Sequence, residues 1–310
     1  MVQQKEAEEI DPDDYNFTVL WSKNRQVFIG KCTELPTLEA EGETEEEALE
    51  EIMDLVEFMF EDLDDEEEEQ QRIEEIKQRN NNMIVKTNKV IGIVGWKTGD
   101  NSFGATIDYL DFANRFGNTR ILMPYEKPEE SNIDLLIVPG GADLSSSEYG
   151  QTPSYHNSNP DVFKDNFIKE KLLKYIEQGT SVFGICLGFQ AINTVLGGGL
   201  VQHLTYHPQS SGRWQPAHRV YRVDLAPNLR TDKNGFEVNS HHHQAVTLNT
   251  LASDLQPLLL CDNDDAHLTG DLDIVESFRH KELKIAGCQY HTEQWLDGHS
   301  IQLMNWLLGD

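Results

Sequence analysis

The alternation of apolar and polar positions divides the chain into two patterns that change near residue 89. In the first, Phe17 to Trp21 and Gln26 to Cys32 read as short strands joined through Ser22-Lys23-Asn24-Arg25, a hairpin signal. Leu38 to Glu41 supplies a third strand that ends at Gly42. Thr44-Glu45-Glu46-Glu47 is a capping box, in which Thr44 accepts from first-turn amides and Glu47 reaches back. Behind it Leu49, Ile52, Met53, Val56, Met59, Phe60 and Leu63 recur at helical spacing and form one apolar stripe. A small β-β-β-α unit over residues 1–63 follows. Residues 64–88 open with Asp64 to Asn82, charged, amide-rich and poor in core residues, which reads as a linker or a solvated helical extension.

From Lys89 to residue 310 the pattern is that of an α/β domain. Val90 to Val94, Ile121 to Met123 and Asp134 to Val138 are buried-strand runs, and Ser181 to Ile185 is another. Phe103 to Phe116 and Phe163 to Gln178 carry helical periodicity between them. Strands alternating with helices predict a mostly parallel, flavodoxin-like sheet covered on both faces. Ligands of such sheets sit at the carboxyl ends of the strands.

Charge sharpens the division. Residues 1–75 hold 27 of the 54 acidic residues and 5 of the 25 Lys and Arg, a local net of −22 within a total of −29, which leaves −7 for the rest. Neither part suits nucleic acid or an anionic membrane surface. The acidic start, Met1 to Asp14, lacks the basic and apolar regions of a signal peptide, and no apolar run reaches membrane-spanning length, so a cytoplasmic setting is expected. Cys32, Cys186, Cys261 and Cys288 are too few and too scattered for a disulfide framework.

Gly184-Ile185-Cys186-Leu187-Gly188-Phe189-Gln190 is the stretch richest in chemistry. An apolar strand delivers a cysteine, glycines flank it at two residues on either side, and a helix departs at once. This is the logic of a nucleophile elbow with sulfur in place of oxygen. A helix N-terminus also favours thiolate. The alternative is a buried structural cysteine between two glycines. A thiol nucleophile needs a base and the base an orienting group. His291 and Glu293 in Ala286 to Glu293 supply both, on one face if the segment is a strand. The Pro139-Gly140-Gly141 turn after a buried strand lets backbone N–H groups approach a ligand, so the amides of Gly141 and Leu187 are candidates for an oxyanion hole. His241, His242 and His243 do not read as a metal set, because successive residues of an extended chain face opposite ways. No metal and no cofactor is expected. Glu276, in the buried-strand context Ile274-Val275-Glu276-Ser277, is a structural or site-lining carboxylate without an assigned role.

"GICLGFQ" at Cys186, the preceding "PGG", "VNSHHHQAV" at Val238 to Val246 and "GCQYHTE" ending at Glu293 together resemble class I glutamine amidotransferases over roughly residues 89–309. Within that superfamily the likeness is to the γ-glutamyl hydrolase (peptidase C26) branch, typified by γ-glutamyl-γ-aminobutyrate hydrolase. The resemblance implies Cys186 as nucleophile, His291 as general base then acid, and Glu293 as its orienting carboxylate. It implies that Gln190, Ser240, His242, His243 and Gln244 help to hold the glutamyl head group. Thr292 stands where that branch usually has proline, and Leu187 where it often has arginine.

The first unit, over roughly residues 15–63, resembles the HicB-type antitoxin domain in its order of elements and in the phrase from Cys32-Thr-Glu-Leu-Pro to Glu-Glu-Ala48. That resemblance implies homo-oligomerisation or a protein partner through this unit. Three functional readings follow: a free-standing hydrolase of γ-glutamyl amides, a glutaminase supplying ammonia to a separate synthetase, and a non-catalytic module built on the HicB-like unit. The partner in the first two is a small molecule, a γ-glutamyl substrate or glutamine.

Overall fold

A computed structural model describes residues 17–33, 38–99, 102–123, 125–154, 162–205, 207–212, 215–223, 235–261 and 273–309. The chain divides into two compact units, Met1–Arg79 and Asn80–Asp310.

In the first unit β1 (Phe17–Ser22), β2 (Val27–Cys32) and β3 (Glu39–Gly42) form a three-stranded antiparallel sheet in the order β1-β2-β3. The helix α1 runs over Glu45–Met83. Its start uses the expected box with one change. The Glu47 amide donates to Thr44 Oγ1 (3.1 Å), while the Glu47 carboxylate accepts from the amide of Glu43 (2.8 Å), one residue before the cap. Gly30 and Gly42 let α1 lie on the sheet, since a Cβ on Gly30 would stand 2.1 Å from the Ala48 carbonyl oxygen. Ala48, Ile52 and Val56 are buried there and Leu49 is exposed, so the apolar stripe is narrower than the spacing predicts. The side chains of Met59, Phe60 and Leu63 lie outside the described residues. Asp64 to Asn82 is helical throughout, the second of its two expected forms.

The second unit is built on a nine-stranded sheet among the described residues. Its strands are β4 (Val90–Val94), β7 (Asn118–Leu122), β8 (Leu135–Val138), β9 (Ser181–Ile185), β10 (His218–Arg222), β11 (Gly235–Val238), β12 (Leu255–Cys261), β13 (Ile274–His280) and β14 (Ile285–Cys288). The order is β11-β10-β12-β13-β14-β9-β8-β4-β7. From β14 to β7 every pair is parallel, as the strand–helix alternation predicts. From β14 to β11 every pair is antiparallel, an extension that the alternation did not specify.

Alternate residues of β8 serve opposite faces, as period two requires. Leu135 and Ile137 pack with α2 (Ile107–Asn114) and α6 (Gly298–Leu308), whereas Leu136 and Val138 pack beneath α4 (Leu173–Glu177) and α5 (Leu187–Val195). Both faces of the parallel half are therefore buried, which is why its strands are apolar runs. The expected helix from Phe103 begins later than predicted. A hairpin of β5 (Trp96–Gly99) and β6 (Ser102–Gly104) comes first, and the extended Thr106 (φ −70°, ψ 155°) starts α2. The helix expected from Phe163 is α3 (Val162–Phe167), a π segment (Ile168–Leu172) and α4 in succession. No helix among the described residues is long and apolar enough to cross a membrane.

Candidate active site

The carboxyl end of β9 leads directly into Cys186, and α5 begins at the next residue. Cys186 has φ 52° and ψ −105°. A side chain held at positive φ costs about 1–3 kcal/mol and persists only where its surroundings over-determine it. They do so here. A Cβ on Gly188 would stand 1.9 Å from the Val138 carbonyl oxygen, and one on Gly184 would stand 2.6 Å from the carbonyl carbon of Gly188. The Cys186 amide donates to the Cys288 carbonyl (2.9 Å), and its carbonyl accepts from the Gln190 amide (3.1 Å). The elbow is thereby locked between β8 and β14.

His291 approaches Cys186 from beyond the end of the neighbouring strand, β14. β14 ends at Cys288, so His291 and Glu293 lie in the turn that follows and not in a strand. Their pairing holds for a different reason from the i, i+2 rule: the amides of Gln294 and Trp295 fold back onto the His291 carbonyl (3.0 and 3.1 Å). His291 Nδ1 donates to Glu293 Oε1 at 2.7 Å. The His291 ring and the Cys186 side chain both border Gly140. Burial pushes the imidazole's pKa down, but the negative charges of Cys186 and Glu293 outweigh it and hold His291 well above the ordinary histidine range. The arrangement is a cysteine beside an imidazole held toward its charged form, with a buried carboxylate behind it.

The Pro139-Gly140-Gly141 turn closes over this pair. A Cβ on Gly140 would stand 2.9 Å from His291 Cε1 and 3.3 Å from Cys186 Cβ, so only glycine fits. The Gly140 amide donates to Tyr109 Oη (2.9 Å). Burial, with the charges of Glu293 and Cys186 behind it, pushes the Tyr109 phenol well above its usual range and keeps it protonated. Gly141 packs against Leu187, and Lys164 Nζ donates to the Gly140 carbonyl while lying 4.3 Å from the centre of the Trp96 ring. An open cavity of about 530 Å³ lined by Thr106, Ile107, Asp108, Tyr109, His291, Glu293 and Gln294 opens onto the His291–Glu293 side of the site.

The residues expected to hold a glutamyl group do not share one place. Gln190 Nε2 donates to the Gln244 carbonyl (3.0 Å) and to Gln289 Oε1 (3.1 Å), and Gln244 Oε1 accepts from the Leu144 amide (3.2 Å). These form a buried network behind the elbow. Ser240 is fully buried, its amide donating to Ser210 Oγ (2.9 Å). The three histidines diverge: the His241 ring is 5.5 Å from that of His291, His242 turns toward Glu276, and His243 Nε2 pairs with Asp143 (2.9 Å). That bond raises the pKa of His243.

A sequence profile of the peptidase C26 family matches residues 88–293. The chain belongs to the peptidase C26 family. It is 28% identical over 197 residues to the glutamine amidotransferase-like protein YvdE of Lactococcus lactis, covering 60% of this chain and 78% of that protein. It is 29% identical over 186 residues to Protein NtpR of Enterococcus hirae, covering 56% and 74%. The crystal structure of a glutamine amidotransferase from Thermotoga maritima aligns with a TM-score of 0.44 and 14% identity, covering 72% of this chain and 86% of that one.

Within the C26 domain, two residues that sequence reasoning did not assign to the site touch it. Asn239, fully buried, accepts the His291 amide on Oδ1 (2.9 Å) and donates from Nδ2 to the His291 carbonyl (3.0 Å). Its signal was the Asn of the Val238-Asn239-Ser240 phrase. Tyr109 had none, because it falls on the apolar side of an ordinary amphipathic helix.

Proposed function

We propose that the chain hydrolyses a γ-glutamyl amide through a glutamyl-thioester intermediate. The observation that supports this most is the Cys186 elbow, held at positive φ, with His291 beside it across Gly140 and bonded to Glu293. In the first half-reaction the Cys186 sulfur attacks the γ-carbonyl carbon. The oxygen that takes the charge is met by the amides of Gly141 and Leu187, since the Gly140 amide is committed to Tyr109. The His291 imidazolium gives its proton to the leaving amine as the C–N bond breaks. In the second half His291 takes a proton from water, hydroxide adds to the thioester carbon, and glutamate leaves with the sulfur restored as thiolate. Glu293 fixes the tautomer throughout.

Gln190 and Gln244 act in this reading as the support of the elbow, with the substrate entering from the cavity beside Tyr109. The first unit, HicB-like in sequence, is the part that joins the chain to further copies or to another protein. The deciding experiment incubates the pure protein with glutamine and with a panel of γ-glutamyl amines and measures glutamate and amine released. Turnover of the amines without any partner supports the hydrolase. Turnover of glutamine alone, and only with a synthetase present, would replace it with the ammonia-donor reading.

A further inference from the structure

A second cluster of chemically capable groups lies away from Cys186, around Glu276 on β13. Glu276 is fully buried, and its Oε2 has no hydrogen-bond partner among the described residues. Its Oε1 is approached by His242 Nε2 (3.6 Å) and His207 Nε2 (4.0 Å), and those two nitrogens are 3.2 Å from each other. His218 Nε2 (3.4 Å) and Cys261 Sγ (3.5 Å) also face Oε1. Neither ring nitrogen of His218 makes a well-formed hydrogen bond among the described residues.

We propose that His207, His242 and Glu276 form a binding site for a divalent transition-metal ion of the zinc type. Two observations carry this. Ligands about 2.0–2.1 Å from a tetrahedral ion stand roughly 3.3–3.4 Å apart, which the 3.2 and 3.6 Å separations bracket and the 4.0 Å one exceeds by a movement smaller than a bond length. The tautomer is also suited. His242 Nδ1 lies 3.0 Å from the Gln244 carbonyl, which accepts its proton and leaves Nε2 with a lone pair toward Glu276. Orientation of a ligating imidazole by a backbone carbonyl is the usual arrangement behind a metal.

His241, His242 and His243 diverge and are not the ligand set proposed here. The grouping draws on residues 207, 242 and 276, far apart in sequence, and includes none of the residues given a role in the proposed reaction; His242, which the family resemblance implies for the glutamyl group, serves the metal instead. The ion would fasten the segment after β11 to β13 and so support the loop that carries Asn239.

The test uses the full chain with Cys186→Ala, because zinc also binds catalytic thiolates. That protein is stripped with chelator, titrated with zinc chloride by calorimetry, and its metal content measured after desalting. The expected result is about one equivalent bound, with affinity lowered roughly 100-fold or more by either His207→Gln or Glu276→Gln. Unchanged affinity in both folded variants would overturn the site. If either variant fails to fold, the Cys186→Ala protein decides alone: no stoichiometric uptake overturns the proposal, and uptake that raises its melting temperature supports it.

Discussion

The side chain of Asn239 holds both main-chain polar groups of His291, accepting its N–H at 2.9 Å and donating to its C=O at 3.0 Å. An amide side chain thus takes the place of a neighbouring strand for a residue that lies beyond the end of β14. The base of the proposed reaction is positioned by a residue 52 places earlier in the chain.

Asn239→Ala should therefore damage the site without touching its chemistry. Loss of two buried hydrogen bonds costs about 2 kcal/mol, and a misplaced base costs on the order of 100-fold in kcat. Asn239→Asp, which keeps only the acceptor, should retain more activity than Asn239→Ala. Equal kinetics for wild type and Asn239→Ala would remove the positioning role.

Replacement of the three reacting groups should give an unequal pattern. Cys186→Ala and His291→Ala should each lower kcat by on the order of 10⁶-fold, and Glu293→Gln by roughly 10⁴-fold, leaving a measurable residue. Cys32, Cys261 and Cys288, buried and outside the pair, should tolerate alanine with turnover largely kept. Near-normal turnover in Cys186→Ala would end the thioester mechanism.

The pH behaviour of His291 has a definite sign. Its pKa is raised by the charges of Cys186 and Glu293, so the charged imidazolium is favoured in the folded state. The stability it contributes is fully present below about 6.5, the unfolded value, and is lost as pH rises through the raised folded value. Cys186→Ser removes one of the two charges and should lower the His291 titration midpoint followed by NMR. A midpoint unchanged or higher in that variant would contradict the pairing.

A chain starting at Asn80 should retain turnover. The boundary between units falls after Arg79, and the Asn80 side chain, which is buried, donates to the Leu296 carbonyl at 3.0 Å within the second unit. A start at Asn82 would forfeit that bond. The assembly role proposed for the first unit is checked by light scattering: the shortened chain should have the smaller number of subunits. Equal subunit numbers would leave that unit without the role.

The sequence carried the elbow, the glycine turn and the His–Glu pair because each is a short local phrase whose chemistry is set by its own residues. It was less informative where partners are distant. The antiparallel half of the sheet arises from segments between residues 218 and 280 that have neither helical periodicity nor a tight hairpin signal between them. The Glu276 cluster gathers side chains from five separate stretches, of which the histidine run and Glu276 itself stood out, neither of them as part of a shared group. Even the His291–Glu293 pairing, though anticipated, was anticipated from a strand that ends three residues too early.

That early end of β14 divides the site into parts of unequal tenacity. Cys186 is fastened by sheet bonds and by glycine contacts that leave no slack, whereas His291 hangs from a turn by Asn239 and Glu293. Brief opening of that turn would strand a thiol without its proton acceptor while the sheet stayed intact. Turnover should then fail in mild denaturant before any change in sheet structure, and the His291 amide should exchange with solvent ahead of the Cys186 amide. The resting fold would thus inactivate by unlatching, and recover as quickly as a turn can close.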